Sequence, residues 1–245
     1  MPTDTIPARP KLAAHRSWLA RAGILVLAWA ILLGLVVGLG RLLTGPLKGS
    51  VGSTDKALAG WIVGERTSSL NQVAASFSLL GDTSTVLVAV PTIALVVAAW
   101  RRTIRPALFV MLATAGVSGM YIVAADAVLR PRPAVRILDQ GLDPVHSFPS
   151  GHVGAATALV GVVVVLVWTY AQAVRWWVTP LLLPLPLLVV VSRMYEGAHH
   201  LSDVLTSVVF ASTWVTVTAV TLLPRASART APASRAGAPS HASAG

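Results

Sequence analysis

Residues 153–174 read VGAATALVGVVVVLVWTYAQAV, a run without a single Asp, Glu, Lys or Arg. A segment of this length and composition matches the roughly 17–25 residues a helix needs to cross a bilayer. It lacks the strict alternation of a barrel strand, and a spanning helix satisfies its own backbone hydrogen bonds, so the stretch is expected to be helical. Working outward, five further runs share the same absence of charge: Ala22–Gly40, Thr83–Trp100, Pro106–Ala125, Trp176–Ser192 and Val204–Pro224. The fifth in chain order, Trp176–Ser192, holds Pro180, Pro184 and Pro186 and is expected to be kinked.

Composition agrees. Of 245 residues, 55% are hydrophobic and 11% charged, and mean hydropathy is +0.73; a soluble domain carries about a quarter charged residues. The fold class predicted is all-α: a polytopic membrane protein with six transmembrane helices in a bundle. Residues 19–224 form the membrane domain, 1–18 a basic N-terminal segment, and 225–245, rich in Ala, Ser, Pro and Arg, a disordered tail. The first apolar run begins only at Ala22, behind polar and basic residues, so it is expected to remain as the first span rather than to be cleaved as a signal peptide.

The bases set an orientation. Arg9, Lys11, Arg16 and Arg21 precede the first span, Arg101, Arg102 and Arg105 join the second to the third, Arg175 separates the fourth from the fifth, and Arg225, Arg229 and Arg235 follow the sixth. With six spans all these positions fall on one side, which the positive-inside rule makes cytoplasmic, together with both termini. The net charge of +10 is therefore a topology signal. It is not a nucleic-acid footprint, because the bases are scattered and have no interleaved stacking aromatics. The opposite side receives residues 41–82, 126–152 and 193–203. In the first of these, Leu70, Val73, Ala74, Phe77 and Leu80 recur at helical spacing, predicting a helical loop over about residues 53–80. That loop either lies in the interface or packs over the bundle. Trp61, Trp176 and Trp177 suit membrane-interface anchors. The chain has no cysteine, so disulfides, thiolate metal sites and cysteine nucleophiles are excluded.

Three polar segments flank spans on the non-cytoplasmic side: Arg130-Pro-Arg-Pro133, Pro149-Ser-Gly-His152, and Ser192-Arg193 followed by His199 and Asp203. If the last helix starts near His199, Asp203 shares its face four residues on. Its carboxylate then holds one imidazole nitrogen and frees the other as nucleophile or base. Ser150 is a natural N-cap, and the free N–H groups of the helix start favour an anion, beside which His152 stands as donor. Arg132 and Arg193 offer planar, permanently charged forks for phosphate oxygens.

Together these segments resemble the type 2 phosphatidic acid phosphatase superfamily, whose signature is KxxxxxxRP, PSGH and SRxxxxxHxxxD. The second and third motifs are complete here. In the first, Arg132-Pro133 match, but Ala125 stands at the lysine position. The resemblance implies a metal-independent phosphatase without cofactor, acting on a lipid-linked phosphomonoester or diphosphate held among membrane lipids, with the active site facing outside. It implies that His199 attacks phosphorus, Asp203 orients it, and His152 protonates the leaving oxygen and later activates water. Arg132, Ser150, Gly151 and Arg193 would hold the phosphoryl group. The alternatives are a phosphotransferase using the same histidine and a non-catalytic lipid-binding member of the fold. On a continuous helix a lysine at 125 would share a face with Arg132, and Arg130 is the nearest cation to replace it as a phosphate ligand; the competing expectation pairs Arg130 with Asp126.

Overall fold

The computed structural model describes the backbone of residues 10–224 and the side chains of residues 17–224. The disorder expected of residues 225–245, and the bases Arg9, Lys11, Arg16, Arg225, Arg229 and Arg235, lie outside the described side chains. The elements run α1 (Pro10–Thr44), α2 (Val51–Gly64), α3 (Ser68–Ser78), a 3₁₀ turn (Leu79–Gly81), α4 (Thr83–Arg101), α5 (Arg105–Val128), α6 (Gly151–Tyr170), α7 (Arg175–Leu182), α8 (Pro184–Tyr195) and α9 (Leu201–Leu222). Among the described residues there is no strand.

Six segments have the length and apolarity of a span: Ser17–Thr44, Thr83–Arg101, Arg105–Val128, Gly151–Tyr170, Arg175–Tyr195 and Leu201–Leu222. The molecule is a multi-pass, all-helical membrane protein. The fifth span is divided at Leu183, where Pro184 lacks the N–H that would continue α7 and instead opens α8.

Burial sorts the spans into centre and rim. Half of the most apolar window of α9 is buried inside the protein but only 11% of that of α1, so α9, α5 and α6 form the centre and α1 faces lipid. Phe109, Val110, Ala113, Val117 and Met120 of α5 pack with Ala158 and Val162 of α6 and with Phe210, Ala211 and Trp214 of α9. Between lipid-facing helices apolar burial drives little association, since lipid tails are as apolar as Leu. Close packing of small residues and interhelical hydrogen bonds must do so. Trp214 Nε1 donates to the Leu112 carbonyl (3.1 Å) and Trp29 Nε1 to the Gly116 carbonyl (2.9 Å), tying α9 and α1 to α5.

The described bases of the expected cytoplasmic side gather at one end of the bundle. Arg101 lies over the Tyr170 ring (4.6 Å to its centroid), Arg105 over Trp18 (5.4 Å) and Arg175 over Trp168 (4.8 Å), which joins the ends of α4 with α6 and of α1 with α5. The connection read as one helical loop over about residues 53–80 is two helices. The chain breaks at Glu65–Thr67, and Thr67 caps α3 by accepting from Leu70 N (3.2 Å). α3 packs on α8, with Ser192 Oγ donating to the Ala74 carbonyl (2.6 Å). Its buried face is Ala74 and Ser78, while Leu70 and Val73 are exposed.

Candidate active site

His199 occupies the short link between α8 and α9. The link is bent by Gly197, whose φ of +74° lies in the left-handed region, and a Cβ there would stand 2.8 Å from Val135 Cγ2. Ala198 N donates to the Arg193 carbonyl (3.0 Å), closing the turn, and α9 then begins at Leu201 with His200 as N-cap. His199 is therefore not on the helix that carries Asp203, and the expected direct grip of Asp203 on the imidazole is corrected. Asp203 Oδ2 turns back to accept from His200 N (2.9 Å) and from Ser147 Oγ (2.6 Å). It stands 3.9 Å from His199 Nδ1. Nδ1 instead meets the Ser147 carbonyl at 2.7 Å. A carbonyl only accepts, so the proton is assigned to Nδ1 and the lone pair to Nε2. Arg132 Nη1, which only donates, lies 3.5 Å from that Nε2. Burial above all, then the charges of Arg193 and Arg132, hold the His199 pKa well below its ordinary value, so the imidazole is neutral near pH 7.

Two guanidinium groups line the same cavity as His199. Arg132 is fixed by backbone carbonyls: Nε donates to Asp143 O (2.7 Å), Nη1 to Ala198 O (2.7 Å) and Nη2 to His146 O (3.1 Å). Because these acceptors carry no formal charge, its positive charge stays available to an anion. Arg193 is 1% exposed; Nη1 donates to Ser78 Oγ and Glu196 Oε2, both at 2.7 Å, and Nη2 lies 2.9 Å from Asp139 Oδ2. Its Nε is buried without a hydrogen-bond partner among the described residues, a donor left for a ligand. Glu196 is itself held above the ordinary carboxylate range by burial, against the opposing pull of Arg193.

His152 is the second residue of α6, and the 3₁₀ turn packs directly on it: a Cβ at Gly81 would collide with the His152 carbonyl. Arg132, Arg193, His199, Gly151 and His152 line one cavity of about 480 Å³, which continues between α4 and α5 along Val86, Leu87, Val117 and Ile122. The amides of Gly151 and His152, in the first turn of α6, have no intrahelical acceptor. Ser150 is different. Fully buried, its Oγ caps α6 by accepting from Val153 N (3.4 Å) while its own N–H donates to Ser207 Oγ (2.8 Å), and it does not line the cavity. The expected phosphate contact of the Ser150 side chain is thus replaced by a capping role.

Arg130 requires a second correction. α5 ends at Val128, and Leu129 turns into the left-handed region (φ +51°), so positions 125 and 132 do not share a helix face. The Arg130 guanidinium is buried, donating through Nη1 to Asp203 Oδ1 (2.5 Å) and Ser202 Oγ (2.7 Å) and through Nη2 to Asp55 Oδ2 (2.8 Å). It faces carboxylates, away from the cavity of His199. Nor does it pair with Asp126, whose partner is His146 Nε2 at 3.4 Å. Asp55 of α2, buried and also accepting from Ser202 N and Oγ, was not singled out from the sequence, nor was Ser147. The available signal was faint: an acid inside a largely uncharged helical stretch.

Residues 105–226 match the family model of the PAP2 superfamily. This chain belongs to the PAP2 superfamily. The PAP2 match begins with α5 and so contains all three polar motifs, whereas α1 to α4, including Asp55, precede it. The fold is also similar to the crystal structure of the first transmembrane PAP2 type phosphatidylglycerolphosphate phosphatase from Bacillus subtilis. That likeness has a TM-score of 0.64 and 24% identity, covering 79% of this chain and 92% of that one. No protein of curated function matches the chain in sequence. Within this PAP2 member the Arg130 bridge joins the segment outside the matched region, through Asp55, to Asp203 inside it.

Proposed function

We propose that the protein is a membrane phosphatase that hydrolyses a lipid-linked phosphate through a phosphohistidine at His199. The observation that carries this is the neutral His199, its Nε2 lone pair facing a cavity lined by Arg132 and Arg193. In the first step Nε2 attacks phosphorus as the P–O bond to the lipid breaks, and His152 supplies the proton taken up by the leaving oxygen. In the second, water attacks the phosphorus on His199, giving its proton to His152 and releasing phosphate. Arg132, Arg193 and the α6 amides hold the phosphoryl oxygens. The transition state for such transfer is loose, so placement and charge are the protein's main contribution.

Asp203 acts through Ser147: its carboxylate holds the Ser147 hydroxyl, and the Ser147 carbonyl holds Nδ1. The apolar extension of the cavity between α4 and α5 suits a lipid tail that stays in the bilayer. The arginine-clasped end of the bundle lies in the cytoplasm by charge bias, which sets the cavity on the outer face. Incubating purified protein with a ³²P-labelled lipid phosphate in the presence of chelator tests the scheme. Acid-labile labelling of the wild type and neither label nor turnover in His199→Ala are expected. Activity that survives in His199→Ala, or that chelator removes, would overturn it.

A further inference from the structure

A second cavity, of about 600 Å³, lies on the other side of the Arg130–Pro133 segment. It is walled by the end of α1 (Leu43, Thr44), by the α1–α2 turn and by one face of α2. Lys48 and Lys56 both line it. The chain has only one other lysine, Lys11, and no Asp or Glu is among the lining residues. Asp55, the neighbour of Lys56, points away into the Arg130 bridge. Neither lysine forms an ion pair among the described residues, and both are exposed. The catalytic pair His152 and His199 is absent from this lining. His200 is present, but its Nε2 is turned to the Pro131 carbonyl at 3.2 Å.

The rest of the wall is shaped to leave room. Gly52, Lys56 and Gly60 follow one another at four-residue spacing on a single face of α2. A Cβ at Gly49 or Gly60 would meet nothing within 4 Å. The polar end of the cavity sits where the first span ends, and the exposed Trp61 on α2 suits an interfacial anchor there. Below it, Leu35, Leu39 and Leu42 form an exposed stripe on α1 that leads up to Leu43 and Thr44 at the cavity. A cationic mouth at headgroup level, with an apolar track beneath it, is complementary to one chemical class: a bilayer lipid with an anionic phosphodiester headgroup and two acyl chains.

From this the geometry points to a separate binding site for an anionic phospholipid, with its phosphodiester between Lys48 and Lys56 and its chains along the α1 stripe. A diester is not a substrate for the phosphomonoester chemistry proposed for His199, so the lipid is a resident of the fold's rim. Of the residues lining this site, Arg132 alone also lines the catalytic cavity, and neither His152 nor His199 is among them.

Native mass spectrometry of the full chain, titrated with dioleoyl phosphatidylglycerol or dioleoyl phosphatidylcholine, tests the assignment. Wild type is expected to retain phosphatidylglycerol in preference to phosphatidylcholine. Each lysine near an anionic headgroup contributes about fivefold, so Lys48→Gln with Lys56→Gln is expected to weaken phosphatidylglycerol retention about thirtyfold and to leave phosphatidylcholine unchanged. Gly60→Leu, which fills the cavity without altering charge, is expected to weaken retention as well. All these variants are expected to hydrolyse a short-chain phosphomonoester as the wild type does. Undiminished phosphatidylglycerol retention in the double lysine variant and in Gly60→Leu would overturn the site. Hydrolysis that falls in step with retention would overturn its separateness and assign the cavity to the substrate.

Discussion

Removing Arg130 is the most discriminating perturbation, because the structure gives it a role opposite to direct phosphate binding. Its guanidinium is the shared counter-charge of two buried carboxylates, at 2.8 Å from Asp55 and 2.5 Å from Asp203. Arg130→Met leaves both without it, and breaking a buried pair costs roughly 3–5 kcal/mol. Asp55 keeps its bonds from Ser202, and Asp203 keeps those from Ser147 Oγ and His200 N, which puts the expected loss at the lower end of that range. Asp55→Asn alone leaves Arg130 paired with Asp203 and is expected to cost about 1–3 kcal/mol. In the double variant one of the two orphaned charges is gone, so the costs should fall short of additivity by about 1 kcal/mol or more. Unfolding in mixed micelles with increasing dodecyl sulfate measures the stabilities, and steady-state hydrolysis of a lipid phosphate measures the kinetics. Loss of the Arg130 charge disturbs Asp203 and, through Ser147, the orientation of His199, so kcat is expected to fall while KM stays within about twofold. Additive costs would refute the bridge. A raised KM with unchanged stability would refute it more directly, by showing that Arg130 touches substrate after all.

The His199 imidazole titrates below its ordinary value, with the consequence that hydrolysis should stay flat as pH falls through about 6.5 and decline only under more acidic conditions. In the unfolded chain the same histidine takes up a proton near pH 6.5 while the folded one does not. The folded state therefore loses stability as pH drops from about 6.5 toward the depressed folded value, and this slope should become shallower in His199→Gln when unfolding is followed against pH. Gly81→Ala drives a methyl group into the His152 carbonyl and is expected to lower stability by about 1–3 kcal/mol, or to displace α6 with a fall in kcat; unfolding and turnover unchanged from wild type would contradict the close approach. A reporter fused after Arg102 is expected to report the cytoplasm and one inserted near Asp139 the exterior, and the same signal at both would overturn the orientation.

The spans were legible because each is a long run without charge, and a bilayer admits few other structures for such a run. Finer placement was not. α3 buries Ala74 and Ser78 and leaves Leu70 and Val73 outward, the reverse of an amphipathic helix in water. Its partner α8 accepts a close approach only over small residues, and Leu and Val lose little by facing lipid. Arg132, Arg193, His152, Gly151 and His199 converge on one cavity as the three motifs suggested. The relation of Asp203 to His199 was missed by two residues in the start of α9: with His200 as N-cap, the carboxylate is claimed by the helix's own first turn. Arg130 was misread because the left-handed turn at Leu129 carries no sequence mark, Leu being a residue that seldom adopts it. Asp55 belongs to a segment with no motif at all, so its meeting with Arg130 is a product of tertiary folding alone.

The acceptor that fixes the His199 tautomer is a main-chain oxygen, a group every amino acid possesses. Substitution at position 147 can strip the hydroxyl from Asp203 but cannot take away the partner of Nδ1. The nucleophile's lone pair is thereby insulated from side-chain exchange at its nearest neighbour, and its direction depends on the path of the backbone between His146 and Pro149. Changes that redirect this short path, such as an inserted or deleted residue, would turn the imidazole where no replacement of a single side chain there could.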